Sequence, residues 1–321
     1  MTNIQELKEK VIKGYQITFE EGVALTQIKD KEAFYKAANE IRLHFCGNKM
    51  DLCSITNAKS GRCSEDCKWC SQSSHYKTNI EEYEIVDKDE AVKVAIDGAK
   101  KGVKRHSLVT SGRTVSDKTI DQLIPIYQEI KTQSNMSVCA SLGLVSQAQL
   151  QRLKDEVNIE HYHCNLETAP SYFPKLCTTH TIDEKLKTIS YARNVGLKIC
   201  SGGIIGMGES MQQRVEFAIA LRDIQADSIP INILSPVKGT PLEDTKLLSE
   251  EDILTTIAIF RFINPKANIR FAGGRIQIKH FQHKALHAGI NAALTGDYLT
   301  TVGSNTEEDV RDFKNSGFEI D

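Results

Sequence analysis

Cys63, Cys67 and Cys70 lie in the run Gly61-Arg62-Cys63-Ser64-Glu65-Asp66-Cys67-Lys68-Trp69-Cys70, a C-x3-C-x2-C spacing. In a chain of 321 residues with 9 cysteines, chance produces that spacing about 0.007 times, so it requires a cause. A structural zinc site would need a fourth ligand at a short paired spacing, and none follows; His75 reads as a surface residue. Three thiolates instead fit a four-iron cluster with one iron left without a protein ligand, whereas electron-transfer clusters take four cysteines. An open iron accepts a chelating substrate.

The other cysteines stand at 46, 53, 139, 164, 177 and 200. An odd total without a signal peptide argues against a disulfide framework and for metal or redox chemistry. Cys46 and Cys53 read as small buried hydrophobes, since nothing beside them marks a site. Charge is balanced, with 40 Lys plus Arg against 42 Asp plus Glu, so no basic field calls for nucleic acid. The N-terminal MTNIQELKEKVIKGY is charged and amphipathic and lacks the apolar core of a signal peptide. No apolar run reaches bilayer length, and a cytoplasmic protein without membrane contact is expected.

These residues need elements to hold them. Ile4, Leu7, Val11 and Ile12 recur at helical spacing, which predicts a helical extension over residues 1–45. From 46 to 321 a single domain is expected, since no linker, repeat or low-complexity tract interrupts the chain. Strand-like runs fall at 52–56, 106–110, 137–141, 161–166, 198–201, 228–234, 269–272 and 288–293. Helical stretches between them cover 89–100, 118–131, 147–155, 184–194, 212–224 and 250–262. Ser146 and Ser249 supply start signals, and Gly102 and Gly196 sit where helices end. Eight strands, mostly each followed by a helix, indicate an α/β fold, a (β/α)8 TIM-type barrel; an open doubly wound sheet is the alternative.

The triplet spacing is the hallmark of the radical S-adenosylmethionine superfamily. From about residue 50 onward the sequence resembles the biotin synthases. The resemblance is carried by Glu65-Asp66-Cys67-Lys68-Trp69-Cys70-Ser71-Gln72-Ser73-Ser74 with Tyr76-Lys77-Thr78, and by Asn165-Leu166-Glu167-Thr168. Cys200-Ser201-Gly202-Gly203-Ile204, Pro230-Ile231-Asn232, Lys238-Gly239-Thr240-Pro241 and Arg270-Phe271-Ala272-Gly273-Gly274-Arg275 follow in order. It implies a barrel homodimer that converts dethiobiotin to biotin, with a [4Fe–4S] cluster on the triplet opening S-adenosylmethionine. Sulfur would come from a second, auxiliary iron–sulfur cluster, and electrons from reduced flavodoxin or ferredoxin.

The resemblance also implies residue roles. Trp69, Glu167 and Lys185 would serve S-adenosylmethionine, Glu167 by accepting from the ribose and Lys185 by meeting the methionyl carboxylate where an Arg is usual. Gly202, Ile204 and Gly206 would form the adenine-contacting turn. Asn165 and Asn232 match a ureido ring, Asn165 also serving the cofactor, and Thr300 and Thr301 would hold the substrate carboxylate.

One part of the pattern departs. Biotin synthases hold a [2Fe–2S] cluster with three cysteines and an arginine. Arg270, Cys139 and Cys200 match, but the remaining position is Ser107, whose hydroxyl is a poor ligand for iron–sulfide. Cys164, where histidine is common, and Cys177 are extra thiols. Adjacent strands lie about 4.8 Å apart, so Cys139, Cys164 and Cys200 fall within roughly 10 Å of one another. That suits a larger, four-iron auxiliary cluster displaced toward the fourth strand. Alternation opposes it: if Asn165 and Glu167 face inward, Cys164 faces out. Competing readings are a barrel relative, such as an [FeFe]-hydrogenase maturase or an amino-acid mutase, and a non-catalytic iron–sulfur carrier. A carrier needs exposed thiolates, whereas cysteines at barrel strand ends indicate an enclosed site.

Overall fold

The computed structural model describes residues 3–297, 299 and 303–320. Its strands are β1 (Asp51–Lys59), β2 (Arg105–Thr110), β3 (Ser137–Ser141), β4 (His161–His163) and β5 (Lys198–Cys200), then β6 (Gly203–Ile205), β7 (Ser228–Ile233), β8 (Asn268–Phe271) and β9 (Ala292–Leu294). All pair in parallel, in the order β5-β4-β3-β2-β1-β9-β8-β7-β6. A further pairing of Cys200 with Ser228 joins β5 to β7 and closes the ring. β5 and β6 are two halves of one interrupted strand, so the barrel has eight positions with helices outside them, the TIM-type fold the pattern predicts.

The interruption has a local cause. β7 pairs with β5 at Ser228 and with β6 from Ile231, and between them stands Pro230, which has no N–H to give a ladder. Gly202 fills the gap because a Cβ there would lie 2.0 Å from Pro230 O.

Three helices, Ile4–Ile12, Phe19–Thr26 and Lys31–Cys46, form the N-terminal extension, each opened by a side-chain cap from Asn3, Thr18 or Asp30. The second and third lie against the barrel's outer helices, and the first packs on the third. A Cβ on Gly22 would sit 2.6 Å from Val215 in the helix Met211–Asp223, and Phe34 meets Phe262 with ring centroids 5.5 Å apart. Covered from both sides, the helix Glu250–Ile263 is buried from Ile253 onward, which explains why its sequence is apolar all round.

The last strand begins at Ala292 rather than at 288. Just before it, Asn291 bonds both neighbouring strands through its backbone, donating to Ile269 O at 3.1 Å and accepting from Asp51 N at 3.0 Å, and its side-chain Oδ1 also accepts from Ile269 N at 3.0 Å and from Arg261 Nη2 at 2.6 Å. A C-terminal helix, Thr306–Asn315, is fastened to the 3-10 turn Arg275–Ile278 by a two-pronged Arg275–Asp309 pair at 2.8 and 2.7 Å.

Candidate active site

The loop carrying the triplet leaves the C-terminal end of β1 and is clasped by the segment around residues 173–180. Lys68 N donates to Leu176 O at 3.0 Å, and the Asp66 carboxylate accepts from Thr178 N at 2.9 Å and Thr179 N at 3.2 Å. Glu65 Oε2 lies 2.5 Å from His180 Nδ1. So held, Cys63, Cys67 and Cys70 together line a cavity of about 200 Å³ with Thr110, Arg113, Glu167 and Lys185 on its other walls. Thr110 Oγ1 is buried there with no hydrogen-bond partner among the described residues. Three thiols facing one space beside an orphaned hydroxyl fit an iron–sulfur cluster and a polar ligand. The structure brings Cys177 to this same loop, with its Sγ 3.7 Å from Cys67 Sγ and 3.3 Å from His180 Nδ1. Cys67, Cys177 and His180 form a group of metal-binding type, but it shares Cys67 with the triplet, so a cluster held by the triplet leaves that group only Cys177 and His180.

Glu167 and Asn165 stand on the wall between this cavity and a larger one of about 880 Å³, which Trp69, Ile204 and Asn232 also line. Glu167 is held at φ 73, an unusual backbone for a residue with a Cβ. Its N donates to Gly202 O at 3.0 Å and its O accepts from Ile204 N at 2.8 Å. Gly203 must be glycine, as a Cβ would come 2.1 Å from Glu167 O. Burial pushes the Glu167 carboxyl up, while Lys185 and Asn165 pull it down. Lys185 is itself buried, its Nζ 5.5 Å above the Phe173 ring.

Part of the amide chemistry expected at Asn165 and Asn232 is spent on the scaffold. Asn165 Oδ1 accepts from Gly202 N at 3.1 Å. Asn232 donates to Gly203 O at 3.0 Å and accepts from Gly273 N at 2.8 Å, which leaves one donor and one lone pair for a ligand. The turn through Gly206 is pinned by Glu209, whose carboxylate accepts from Gly206 N at 2.7 Å and Met207 N at 2.8 Å and pairs with Arg214 at 2.7 Å. Thr300 and Thr301 lie outside the described residues.

Deeper in the barrel, Cys139, Cys200 and Arg270 line one small hollow, with Ser107, His161 and Cys53 among its other walls. The sequence presents Cys53 as a packing residue; the structure instead sets its Sγ 3.0 Å from Arg270 Nη1. Cys164 is not brought here. It lines the triplet cavity instead, with its Sγ 3.9 Å from Lys185 O on the helix Ile182–Asn194. The displacement toward the fourth strand expected from sequence therefore finds no thiol there, and Cys177 likewise joins the loop and not this hollow. Burial pushes the Cys139 thiol to about 12 and that of Cys200 to about 11. It also drives His161 down to about 4 and His163 to about 3, so both imidazoles are neutral near pH 7. Asp51 carries the balancing charge, ion-paired to Arg105 and Arg270. Among the described residues His161 Nδ1 has no hydrogen-bond partner, with Glu160 Oε2 3.9 Å away. Soft thiols, neutral imidazoles and two arginines in an enclosed space are a donor set that fits an anionic iron–sulfur cluster. His163, which sequence reasoning passed over, lines both this hollow and the triplet cavity; its place two residues before Asn165 on the same strand face was the available sign.

A closed barrel with a C-x3-C-x2-C loop at its mouth defines a class, and residues 58–221 match the radical SAM superfamily model. Residues 230–319 match the Biotin and Thiamin Synthesis associated domain. The biotin synthase of Parabacteroides distasonis is 52% identical over 99% of this chain and 97% of its own length. That of Porphyromonas gingivalis is 52% identical over 99% and 96%, and that of Clostridium tetani 50% over 99% and 98%. Among solved structures, methylornithine synthase is similar with a TM-score of 0.82 at 20% identity, covering 98% of this chain and 97% of that one. An FeFe-hydrogenase maturase from Carboxydothermus hydrogenoformans scores 0.81 at 17%, covering 98% and 78%; these two likenesses concern the fold. The chain is a radical S-adenosylmethionine enzyme and belongs to the biotin synthase family. That membership carries a [4Fe–4S] cluster and S-adenosylmethionine with it, and among the described residues no helix is long and apolar enough to cross a membrane.

Proposed function

We propose that the chain makes biotin from dethiobiotin in the cytoplasm, as a homodimer reduced by flavodoxin or ferredoxin. The observation that carries this reading is the stacking of two thiol-lined spaces along the barrel, the triplet cavity and the deeper hollow, with His163 shared between their walls. When bound, a [4Fe–4S] cluster with S-adenosylmethionine would supply a carbon-centred radical, and an auxiliary cluster would supply sulfur.

The chain's own residues bind, orient and exclude water. Cys63, Cys67 and Cys70 would hold the first cluster, and Cys139, Cys200 and Arg270 would help to hold the second. Glu167, kept inward by its strained backbone, would accept hydrogen bonds from the cofactor's ribose. Lys185 would face its carboxylate, while Trp69, Ile204 and the turn through Gly202 and Gly206 form the wall behind it. Asn165 and Asn232 retain amide capacity suited to the ureido ring of dethiobiotin. The carrier reading is disfavoured, because Cys139 and Cys200 are only 4% and 2% exposed and cannot hand a cluster to another protein.

Anaerobically reconstituted protein given dethiobiotin, S-adenosylmethionine and reductant should form biotin with about two 5′-deoxyadenosine per turnover, the count that two carbon–hydrogen cleavages demand. Deoxyadenosine release without any biotin would refute the substrate assignment.

A further inference from the structure

The auxiliary site lacks a third thiol at Ser107, and the barrel's register shows where another is available. Ser107 stands beside Cys139 on β3 and beside Ile55 on β1. Cys53 lies two residues before Ile55, on the same face of β1 and one step deeper in the barrel. It is paired in register with Arg105 and lines the same hollow as Cys139 and Cys200. Arg270 reaches across from β8, giving hydrogen bonds to Cys53 Sγ at 3.0 Å, Ala293 O at 2.9 Å and Asp51 O at 3.2 Å. No thiol other than Cys53, Cys139 and Cys200 lines the hollow among the described residues.

We propose that Cys53 is the third thiolate of the auxiliary iron–sulfur cluster, so that the cluster sits one step deeper along β1 than a ligand at Ser107 would hold it. This rests on the reading that a second cluster occupies the hollow. The chemistry favours the exchange: a thiolate is a far better ligand for iron–sulfide than a hydroxyl. The guanidinium already aimed at Cys53 would donate to the iron-bound sulfur and offset its charge, as partners of metal ligands commonly do. The side chains presently fill most of the hollow, leaving about 10 Å³, so cluster insertion must draw the thiols back from one another. Arg270 and Arg105 are tied to Asp51 and can stay in place while that happens.

The test isolates the second cluster by replacing Cys63, Cys67 and Cys70 with Ala together, then reconstituting full-length protein anaerobically with iron and sulfide. Bound iron, bound sulfide and the Mössbauer spectrum are read, with far-UV circular dichroism as the folding control. On this background C53A, like C139A and C200A, should lower bound iron at least threefold, while C164A should leave it unchanged. Cys53→Ser, the gentler change, should retain part of the iron with an altered spectrum. If C53A and Cys53→Ser keep the iron and spectrum of the background while C139A loses them, the ligand assignment fails and the second-cluster reading stands. If the background protein binds no cluster, both fail.

Discussion

Glu167 gives the sharpest test linking backbone strain to chemistry. It is a buried, non-glycine residue at φ 73, and the hydrogen bonds from its N to Gly202 O and to its O from Ile204 N hold it there. In the left-handed region a Cβ crowds the following carbonyl and costs about 1–2 kcal/mol, which glycine does not suffer. In an ordinary strand interior the order is reversed, with Gly worse than Ala by roughly 0.5–1 kcal/mol. Because both substitutions remove the carboxylate, comparing them isolates the Cβ. Glu167→Gly should therefore be more stable than Glu167→Ala by about 1 kcal/mol. The assay is equilibrium urea unfolding of metal-free protein under reductant, comparing midpoints at equal slope. A Glu167→Ala protein as stable as Glu167→Gly would refute strain at this position. The functional arm uses Glu167→Gln, which keeps the backbone and an acceptor but loses the charge. A charged hydrogen bond exceeds a neutral one by about 1–1.5 kcal/mol, so S-adenosylmethionine affinity should fall about tenfold. Unchanged affinity would remove Glu167 from the cofactor site.

Two further outcomes follow from buried charge. Asp309→Asn leaves the Arg275 guanidinium buried without its carboxylate, and should cost about 3 kcal/mol in urea unfolding; because Asp309 and Ser304 also line the large cavity, the KM for dethiobiotin should rise as well. His106 is wholly buried between Ser54 Oγ at 2.8 Å and Thr56 Oγ1 at 3.0 Å, and burial pushes it down to about 4. Its folded value lies below the unfolded value of about 6.5, so the unfolded chain takes the proton first; stability is full above pH 7 and falls as pH drops toward 4. Between pH 7.5 and pH 5 the His106 contribution is about 2 kcal/mol, and His106→Gln should flatten the pH dependence of unfolding by that amount; an unaltered slope would refute it.

Much of the barrel is legible in the sequence because its strands and helices obey their own periods. The first seven strand positions fall where alternation predicts, although β4 ends at His163 and the fifth is split opposite Pro230. The C-terminal helix Thr306–Asn315 escaped notice for a physical reason. Its buried positions are Asp309 and Phe313, so a charged residue takes a core place and the apolar side is marked by little more than Val310 and Phe313. The partner that makes this tolerable, Arg275, is 34 residues away in sequence. Such an ion pair has no local signature.

The same distinction separates the cysteines. A period of two decides which face of a strand a thiol takes, and Cys164, the residue just past β4, falls out of phase with the face shared by His161 and His163. That much needs only the strand itself. Whether two inward thiols meet depends also on register between strands, and here the register sets Ile55, not Cys53, beside Ser107. In the sequence nothing beside Cys53 marks a site. Its distinguishing neighbour is Arg270, which arrives from 217 residues away. On the proposed assignment the chain would exchange a cysteine at Ser107 for one at Cys53 while the barrel stays the same, because the hollow is defined by which side chains converge from different strands and not by any one strand's pattern.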